Sequence, residues 1–197
     1  MAKRKPKQVW YRRKREGKTN YKKRLLLLLS QKPRLVVRFS NQRIVAQVVS
    51  FTAQGDKVIA AVDSSALAKL GWNYSQKNTP ASYLTGLLLG KKALKALKQG
   101  TAGVVGATEV VVDTGLRSPQ RKGKLYAFVK GVVDAGLQLP YGDESIFPDE
   151  ARIKGEHIQA YAHQGKFTQY LKKNSKPEEM PKAFEAVKRK IMETNGK

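Results

Sequence analysis

The sequence contains no cysteine among its 197 residues. Disulfides, thiolate zinc sites and cysteine nucleophiles are therefore excluded, as expected for a protein of a reducing compartment. Acidic residues are also scarce, since 15 Asp and Glu stand against 39 Lys and Arg, for a formal net charge of +24. An excess of this size is typical of proteins that bind a polyanion, most often nucleic acid.

Long hydrophobic runs and histidines are few as well. The densest apolar run is the five leucines of residues 25–29, far short of the roughly 20 residues that cross a bilayer. The only histidines, His157 and His163, are six positions apart and so do not share a helix face. A zinc site would need carboxylates from elsewhere, and the sequence predicts no metal and no cofactor.

The positive charge is concentrated at the N-terminus. Residues 1–34 carry 14 basic side chains and one acid, whereas residues 35–165 have a net charge of only +6 and residues 166–197 of +5. With 41% hydrophobic residues, the chain can bury a core. The pattern predicts a basic arm on a more neutral body. Organelle transit peptides are also Arg-rich, but residues 2–18 lack serine, which favours a charged arm.

The arm interleaves basic and aromatic residues. Its basic side chains can neutralise phosphates and release counterions. Trp10 and Tyr11 either stack on unpaired RNA bases or anchor the arm to the body, and the sequence leaves both alternatives open. The basic residues of the arm predicted to contact RNA are Lys3, Arg4, Lys5, Lys7, Arg12, Arg13, Lys14 and Arg15.

A first helix is predicted from Thr19, as N-cap, to about Ser30. Helical spacing predicts one apolar stripe that packs on the body. The stripe consists of Tyr21, Leu25, Leu28 and Leu29. The basic residues that fall largely to the other side, where they can meet phosphate, are Lys22, Lys23 and Arg24.

The body is predicted to be α/β. Strand-like runs at residues 34–39, 43–49 and 57–62 are separated by turn residues, which indicates a three-stranded antiparallel meander. A helix capped by Thr79, a fourth strand over 107–112 and a helix over 125–135 follow. A strand that follows a long helix indicates a crossover to a parallel neighbour, and hence a mixed sheet. The loop before the last of these helices is basic, with Arg117, Arg121, Lys122 and Lys124.

The chain is predicted to divide into three regions. Residues 1–33 form the basic RNA-binding arm and first helix, residues 34–140 the α/β core domain, and residues 141–197 a helical C-terminal extension. In the extension, Asp149 can cap one helix and Pro181 can open the last.

Two other classes of function compete with RNA binding. Asp63 and Asp113 lie just beyond predicted strands, where carboxylates of neighbouring strands can hold the metal ions of a ribonuclease-like nuclease. Against this, both aspartates also occur in contexts typical of turns. An architectural DNA-binding protein would carry a similar charge. A phosphate-binding loop is excluded because Gly86 and Gly90 are separated by three residues, not four.

Several stretches, in the same order along the chain, resemble the archaeal and eukaryotic type of large-subunit ribosomal protein eighteen, a family that binds 5S ribosomal RNA. The resemblance covers about residues 10–165. The matching stretches are residues 12–21, 32–38, 40–41, 46–47, 71–72, 78–86, 130–136, 146–150 and 155–158.

The resemblance implies a non-enzymatic constituent of the cytoplasmic ribosome. Family members hold 5S rRNA in the central protuberance of the large subunit and contact the large rRNA and neighbouring proteins, including large-subunit ribosomal protein five. It implies RNA contacts along residues 12–24, Lys18 and Tyr21 included. The residues implied around the first hairpin and in the loop 71–79 are Arg34, Arg38, Ser40, Asn41, Arg43, Lys77 and Asn78.

Overall fold

The computed structural model describes residues 9–99, 109–162, 167, 170 and 175–193. The strands are β1 (Arg34–Phe39), β2 (Ile44–Thr52), β3 (Gly55–Asp63) and β4 (Val111–Asp113). The helices are α1 (Arg12–Arg15), α2 (Tyr21–Leu29), α3 (Ala66–Lys69), α4 (Thr79–Lys98), α5 (Lys124–Asp134), α6 (Glu150–Lys154), α7 (Glu156–Ala162) and α8 (Met180–Glu193). Short 3-10 turns occupy Glu144–Ile146 and Pro177–Glu179.

The strands form one mixed sheet in the order β3-β2-β1-β4. β1, β2 and β3 are an antiparallel meander, and β4 runs parallel to β1 with Leu35 opposite Val112. The predicted α/β fold, with its meander and its parallel fourth strand, is confirmed. The fourth strand is shorter than the predicted 107–112 and begins at Val111, and residues 107–108 of that prediction lie outside the described residues. The runs of Val and Ile in these segments favour strands because branched side chains pack well on a pleated surface.

The helices α4 and α5 cover one face of the sheet. Leu35 and Ile44 of the sheet share one apolar cluster with Leu89 of α4 and Phe128 of α5. The two helices approach closely through glycine, since a β-carbon built at Gly86 would overlap the Phe128 carbonyl. This close pair of helices therefore supplies most of the helical side of the core.

The other side of α4 carries the C-terminal part of the chain. α8 buries Met180, Phe184, Val187 and Ile191, as its apolar stripe predicts, and the Phe184 ring lies 5.5 Å from that of Tyr83. A helical C-terminal extension is therefore present, while the division of the chain into three regions stays a prediction.

Two helix caps differ from their predictions by one residue. Asn20, not Thr19, caps α2 by accepting a hydrogen bond from Lys23 N, and Asn78, not Thr79, caps α4 by accepting one from Ala81 N at 2.9 Å. Asn and Thr are both good caps, so the sequence alone does not separate adjacent candidates. The side-chain oxygen of Asn78, a residue predicted to contact RNA, is thus occupied by a hydrogen bond within the protein.

Candidate nucleic-acid interface

A cleft of about 1070 Å³ lies between α2, the end of β1 and the loop that joins β4 to α5. Nine basic side chains line it: Arg13, Lys18, Lys23, Arg24, Arg38, Arg117, Lys122, Lys124 and Arg152. Asp113 is the only acid among the described residues that line it. We call this surface the basic cleft. Its charge suits a ligand that carries several negative groups.

Helix α2 forms one wall of the basic cleft, and two of its basic residues hold it against the rest of the protein. Lys23 Nζ donates to Thr114 Oγ1 at 2.9 Å and to the Gly115 carbonyl at 3.2 Å. Arg24 Nη2 contacts Asp56 Oδ2 at 2.8 Å. These contacts tie α2 to the loop after β4 on one side and to β3 on the other.

Beneath this wall, Arg34 joins two carboxylates. Its guanidinium donates to Asp56 Oδ2 at 2.7 Å and to Asp113 Oδ2 at 3.2 Å, and the residue is only 1% exposed. Burial alone would raise the pKa of Asp56, but the hydrogen bonds from Arg24 and Arg34 and their charges bring this pKa below its ordinary value. Both carboxylates are therefore neutralised from within the protein.

The opposite wall is the loop from Thr114 to Gly123. Asp113 Oδ1 accepts a hydrogen bond from Gly115 N at 2.8 Å. Gly115 has φ of +65°, and a β-carbon there would lie 3.1 Å from the Arg38 guanidinium carbon. Glycine thus allows the turn and leaves room for Arg38, whose Nη1 donates to the Asp113 carbonyl at 2.8 Å. Half of the Arg38 side chain is exposed.

Helix α5 begins at the basic cleft. Its N-cap is Gly123, which has no side chain to accept a hydrogen bond from the first turn. The first backbone N–H groups of the helix therefore remain available as donors. Burial lowers the pKa of the Lys124 ammonium, and repulsion from Lys77 and Arg117 lowers it further. Positive charge is dense enough here that a bound anion would relieve repulsion within the protein.

The described part of the arm folds back towards α2. Arg13 Nε donates to Thr19 Oγ1 at 2.8 Å, and the Tyr11 ring lies 5.1 Å from that of Tyr21. Lys14 Nζ lies 4.2 Å from the centre of the Trp10 ring. Trp10 remains 61% exposed and Tyr11 72% exposed. Tyr11 thus makes a contact within the protein, yet both rings keep surface on which a base could stack.

The structure brings together only some of the residues predicted to contact RNA. Those in the basic cleft are Arg13, Lys18, Tyr21, Lys23, Arg24 and Arg38. Those exposed elsewhere on the arm and first helix are Trp10, Tyr11, Arg12, Lys14, Arg15 and Lys22. Ser40, Asn41 and Arg43 form the exposed β1–β2 turn, and Lys77 is exposed before α4. Lys3, Arg4, Lys5 and Lys7 lie outside the described residues.

Two predictions near the cleft need correction. Arg34 is buried against two carboxylates, so its guanidinium is not available to RNA in this fold. The apolar stripe of α2 packs only in part, since Leu25 is 59% and Leu29 68% exposed, while Tyr21 and Leu28 are half-buried. Helix α2 is held instead by polar contacts, of Lys23 with the loop after β4 and of Arg24 with Asp56 of β3.

Four basic residues of the basic cleft were not among the predicted RNA contacts: Arg117, Lys122, Lys124 and Arg152. The first three belong to the basic loop before α5, and that cluster is the signal that could have found them. Arg152, on the short helix α6, has only Lys154 as a basic neighbour among apolar and acidic residues, so no basic cluster marks it.

The nuclease alternative does not fit the structure. Asp63 ends β3 and Asp113 ends β4, and these strands are the opposite edges of the sheet, roughly 14 Å apart at ordinary strand spacing. Asp63 Oδ1 accepts a hydrogen bond from Ser65 N at 2.8 Å, as expected for a turn, and Asp113 is engaged by arginines. Within the described ranges, no group of three or more His, Cys, Asp or Glu could hold a metal ion.

No helix within the described ranges is long and apolar enough to cross a membrane.

Comparison with known proteins identifies the family. Residues 5–105 match the model of a family described as ribosomal large subunit proteins 60S L5 and 50S L18. The chain is 46% identical over 192 residues to the large ribosomal subunit protein uL18 of Korarchaeum cryptofilum, with 93% of each chain covered. It is 44% identical over 192 residues to that of Thermofilum pendens, covering 92% of this chain and 93% of the relative. For Caldivirga maquilingensis the identity is 44% over 200 residues, covering 96% and 92%.

The matched region contains the arm, the meander and α4, and the relatives align along nearly the whole chain. The resemblance noted in the sequence is thereby confirmed: the chain belongs to the uL18 family of large ribosomal subunit proteins.

Proposed function

We propose that the protein is a structural constituent of the large ribosomal subunit that binds 5S rRNA and anchors it in the central protuberance. Family membership supports a place in the ribosome, in the cytoplasm, and a structural rather than enzymatic role. The observation that carries RNA binding is the basic cleft, where nine cations surround a single acid among the described lining residues.

The chemistry of the cleft favours RNA. Structured RNA is recognised mainly through its shape, phosphates and 2′-hydroxyls. Arginine forks bind phosphate oxygens bidentately, and the open N-terminus of α5 adds backbone donors for an anion. Since Asp56 and Asp113 are neutralised by arginines, they oppose a polyanion only weakly.

We propose a second set of contacts outside the cleft. The basic residues of the arm, with Trp10 and Tyr11, would follow the RNA backbone and stack on accessible bases. The β1–β2 turn exposes Asn41 and Arg43, which can reach sugar or base edges. The large rRNA and neighbouring proteins, among them large-subunit ribosomal protein five, are the other proposed partners.

A salt series with charge variants tests the proposal. Lys124 and Arg152 line the cleft, whereas Lys182 and Arg189 lie on α8, away from it. Replacing either pair by alanine removes the same charge. We expect Lys124→Ala with Arg152→Ala to weaken 5S rRNA binding at least tenfold. The slope of log affinity against log salt concentration should become less steep by about 2, because two phosphates would no longer be neutralised by the protein.

The matched pair on α8 separates a specific site from bulk charge. We expect Lys182→Ala with Arg189→Ala to leave the slope nearly unchanged in filter binding. Equal effects of the two pairs would contradict a site in the cleft. Duplex DNA at the same ionic strength tests the architectural alternative, which predicts comparable affinity for DNA and 5S rRNA.

A further inference from the structure

The basic cleft is concave and only partly polar. Its volume of about 1070 Å³ slightly exceeds that of pockets that enclose a drug-sized molecule, roughly 300–1,000 Å³. The walls include Tyr21, Phe39 and Leu116 beside the basic side chains. A duplex presents a convex surface of phosphates and keeps its base faces covered. A cleft with apolar walls is better suited to a strand whose bases are uncovered.

One part of the wall has the geometry of a stacking platform. The Arg117 guanidinium carbon lies 5.5 Å from the centre of the Phe39 ring, and Arg117 Nη2 donates to the Phe39 carbonyl at 3.5 Å. Thr114 Oγ1 donates to the Arg117 carbonyl at 3.0 Å and so holds the turn. Arg117 itself is exposed, so a guanidinium that lies over a protein ring is also accessible to a ligand.

We propose that the basic cleft binds unpaired nucleotides of RNA, with one base stacked on the guanidinium of Arg117. This inference rests on the proposed function, and it deepens it by naming the form of RNA that the cleft accepts. Arginine planes and aromatic rings stack on splayed bases of loops and bulges, whereas paired bases expose no face. Lys124 and the first amides of α5 lie where the flanking phosphates would follow.

Two short RNAs test the proposal against the full-length protein. One is a labelled adenosine pentanucleotide, and the other has the same ribose-phosphate backbone but no bases. We expect the pentanucleotide to bind about tenfold more tightly, because a stacked base contributes roughly 1–3 kcal/mol and 1.4 kcal/mol is tenfold. Fluorescence anisotropy at low salt measures both affinities.

The matched variants are Arg117→Lys and Arg121→Lys. Both keep the charge, but Arg121 is exposed in the same loop and does not line the cleft. We expect Arg117→Lys to remove the preference for bases while leaving binding of the abasic RNA unchanged, and Arg121→Lys to change neither. Equal affinity of the two RNAs, no measurable binding of either, or equal effects of the two variants would overturn the inference.

A different result would contradict the proposed function. Its failure would appear as an absence of preference for 5S rRNA over duplex DNA, while the comparison of the two pentanucleotides would stand unaffected.

Discussion

At the scale of single residues, the fold beside the cleft depends on one buried arginine. Arg34 lies in β1, yet its guanidinium contacts Asp56 of β3 and Asp113 of β4, and so it spans the sheet. Asp56 in turn holds Arg24 of α2, and Asp113 contacts Arg38. The chain therefore uses its few acids to position cations on the surface proposed to meet RNA.

Removal of Arg34 should destabilise the protein strongly. We expect Arg34→Met to lower the free energy of unfolding by about 3–5 kcal/mol, because the variant leaves two partly buried carboxylates without their common partner. Arg43→Met is the control, since Arg43 is half exposed and lies 3.8 Å from Asp63. That variant should cost no more than about 1 kcal/mol in urea unfolding. Similar costs for both would show that Arg34 does not organise the sheet.

The same network should make stability depend on pH in acid. The pKa of Asp56 lies below its ordinary value of 3.8 in the folded protein. Its stabilising contribution is therefore complete above that value and is lost as the pH falls through the lower, folded pKa. We expect Asp56→Asn to be less stable than the parent chain near neutrality, with the difference narrowing below about pH 4.

Thermal unfolding from pH 6 to pH 3 measures this convergence. Asp143→Asn, at an exposed loop carboxylate, is the control and should run parallel to the parent chain. A constant gap between Asp56→Asn and the parent at every pH would contradict the assigned role of the carboxylate.

At the scale of elements, helix α2 shows that helical periodicity alone does not determine whether an apolar stripe is buried. The spacing of Leu25, Leu28 and Leu29 correctly predicts a helix, but it does not say whether a complementary surface lies opposite that stripe. In the structure α2 has no fully buried residue. By contrast, the apolar stripe of α8 is predicted correctly as core, because Tyr83 and its neighbours on α4 provide the surface that this stripe needs.

The leucines of α2 should therefore contribute little to the stability of the free protein. We expect Leu25→Ala with Leu29→Ala to change the free energy of unfolding by no more than about 0.5 kcal/mol per site, as for exposed positions. Leu35→Ala, at a fully buried position in β1, should cost about 2–5 kcal/mol. Chemical denaturation compares the two directly. A large destabilisation by the double substitution in α2 would mean that Leu25 and Leu29 are buried in the folded protein.

The candidate site could be predicted only in part, for a related reason. The basic arm and first helix are dense in charge, so composition alone marks them as a surface for RNA. Arg117 and Lys124 come to face Lys23 only because β4 pairs with β1, and that pairing joins residues far apart in sequence. Arg34 resembles one more cation of a basic stretch, and only its burial shows that it serves the fold.

At the scale of the whole molecule, a basic arm is joined to a body of sheet and helices that presents the cleft. The first 18 residues hold nine basic side chains and one acid, and at least Arg13 and Lys18 reach the cleft wall. The bulk charge of +24 is thus divided between the arm, which we propose neutralises phosphates, and a concave surface that we propose selects RNA.

Deletion of residues 1–18 should weaken 5S rRNA binding and flatten its dependence on salt, because fewer counterions are then released. The shortened chain should still prefer 5S rRNA to duplex DNA, since most of the basic cleft remains. Filter binding across a salt series measures both effects. Unchanged affinity and slope would contradict a role for the arm.

The central claim, that this chain binds 5S rRNA, is tested most directly by identifying the RNA that it holds in cells. The full-length tagged protein would be crosslinked, purified under denaturing conditions, and its bound RNA sequenced. We predict strong enrichment of 5S rRNA over transfer RNA of similar size, with segments of the large rRNA second. Enrichment of 5S rRNA no greater than that of transfer RNA would contradict the account.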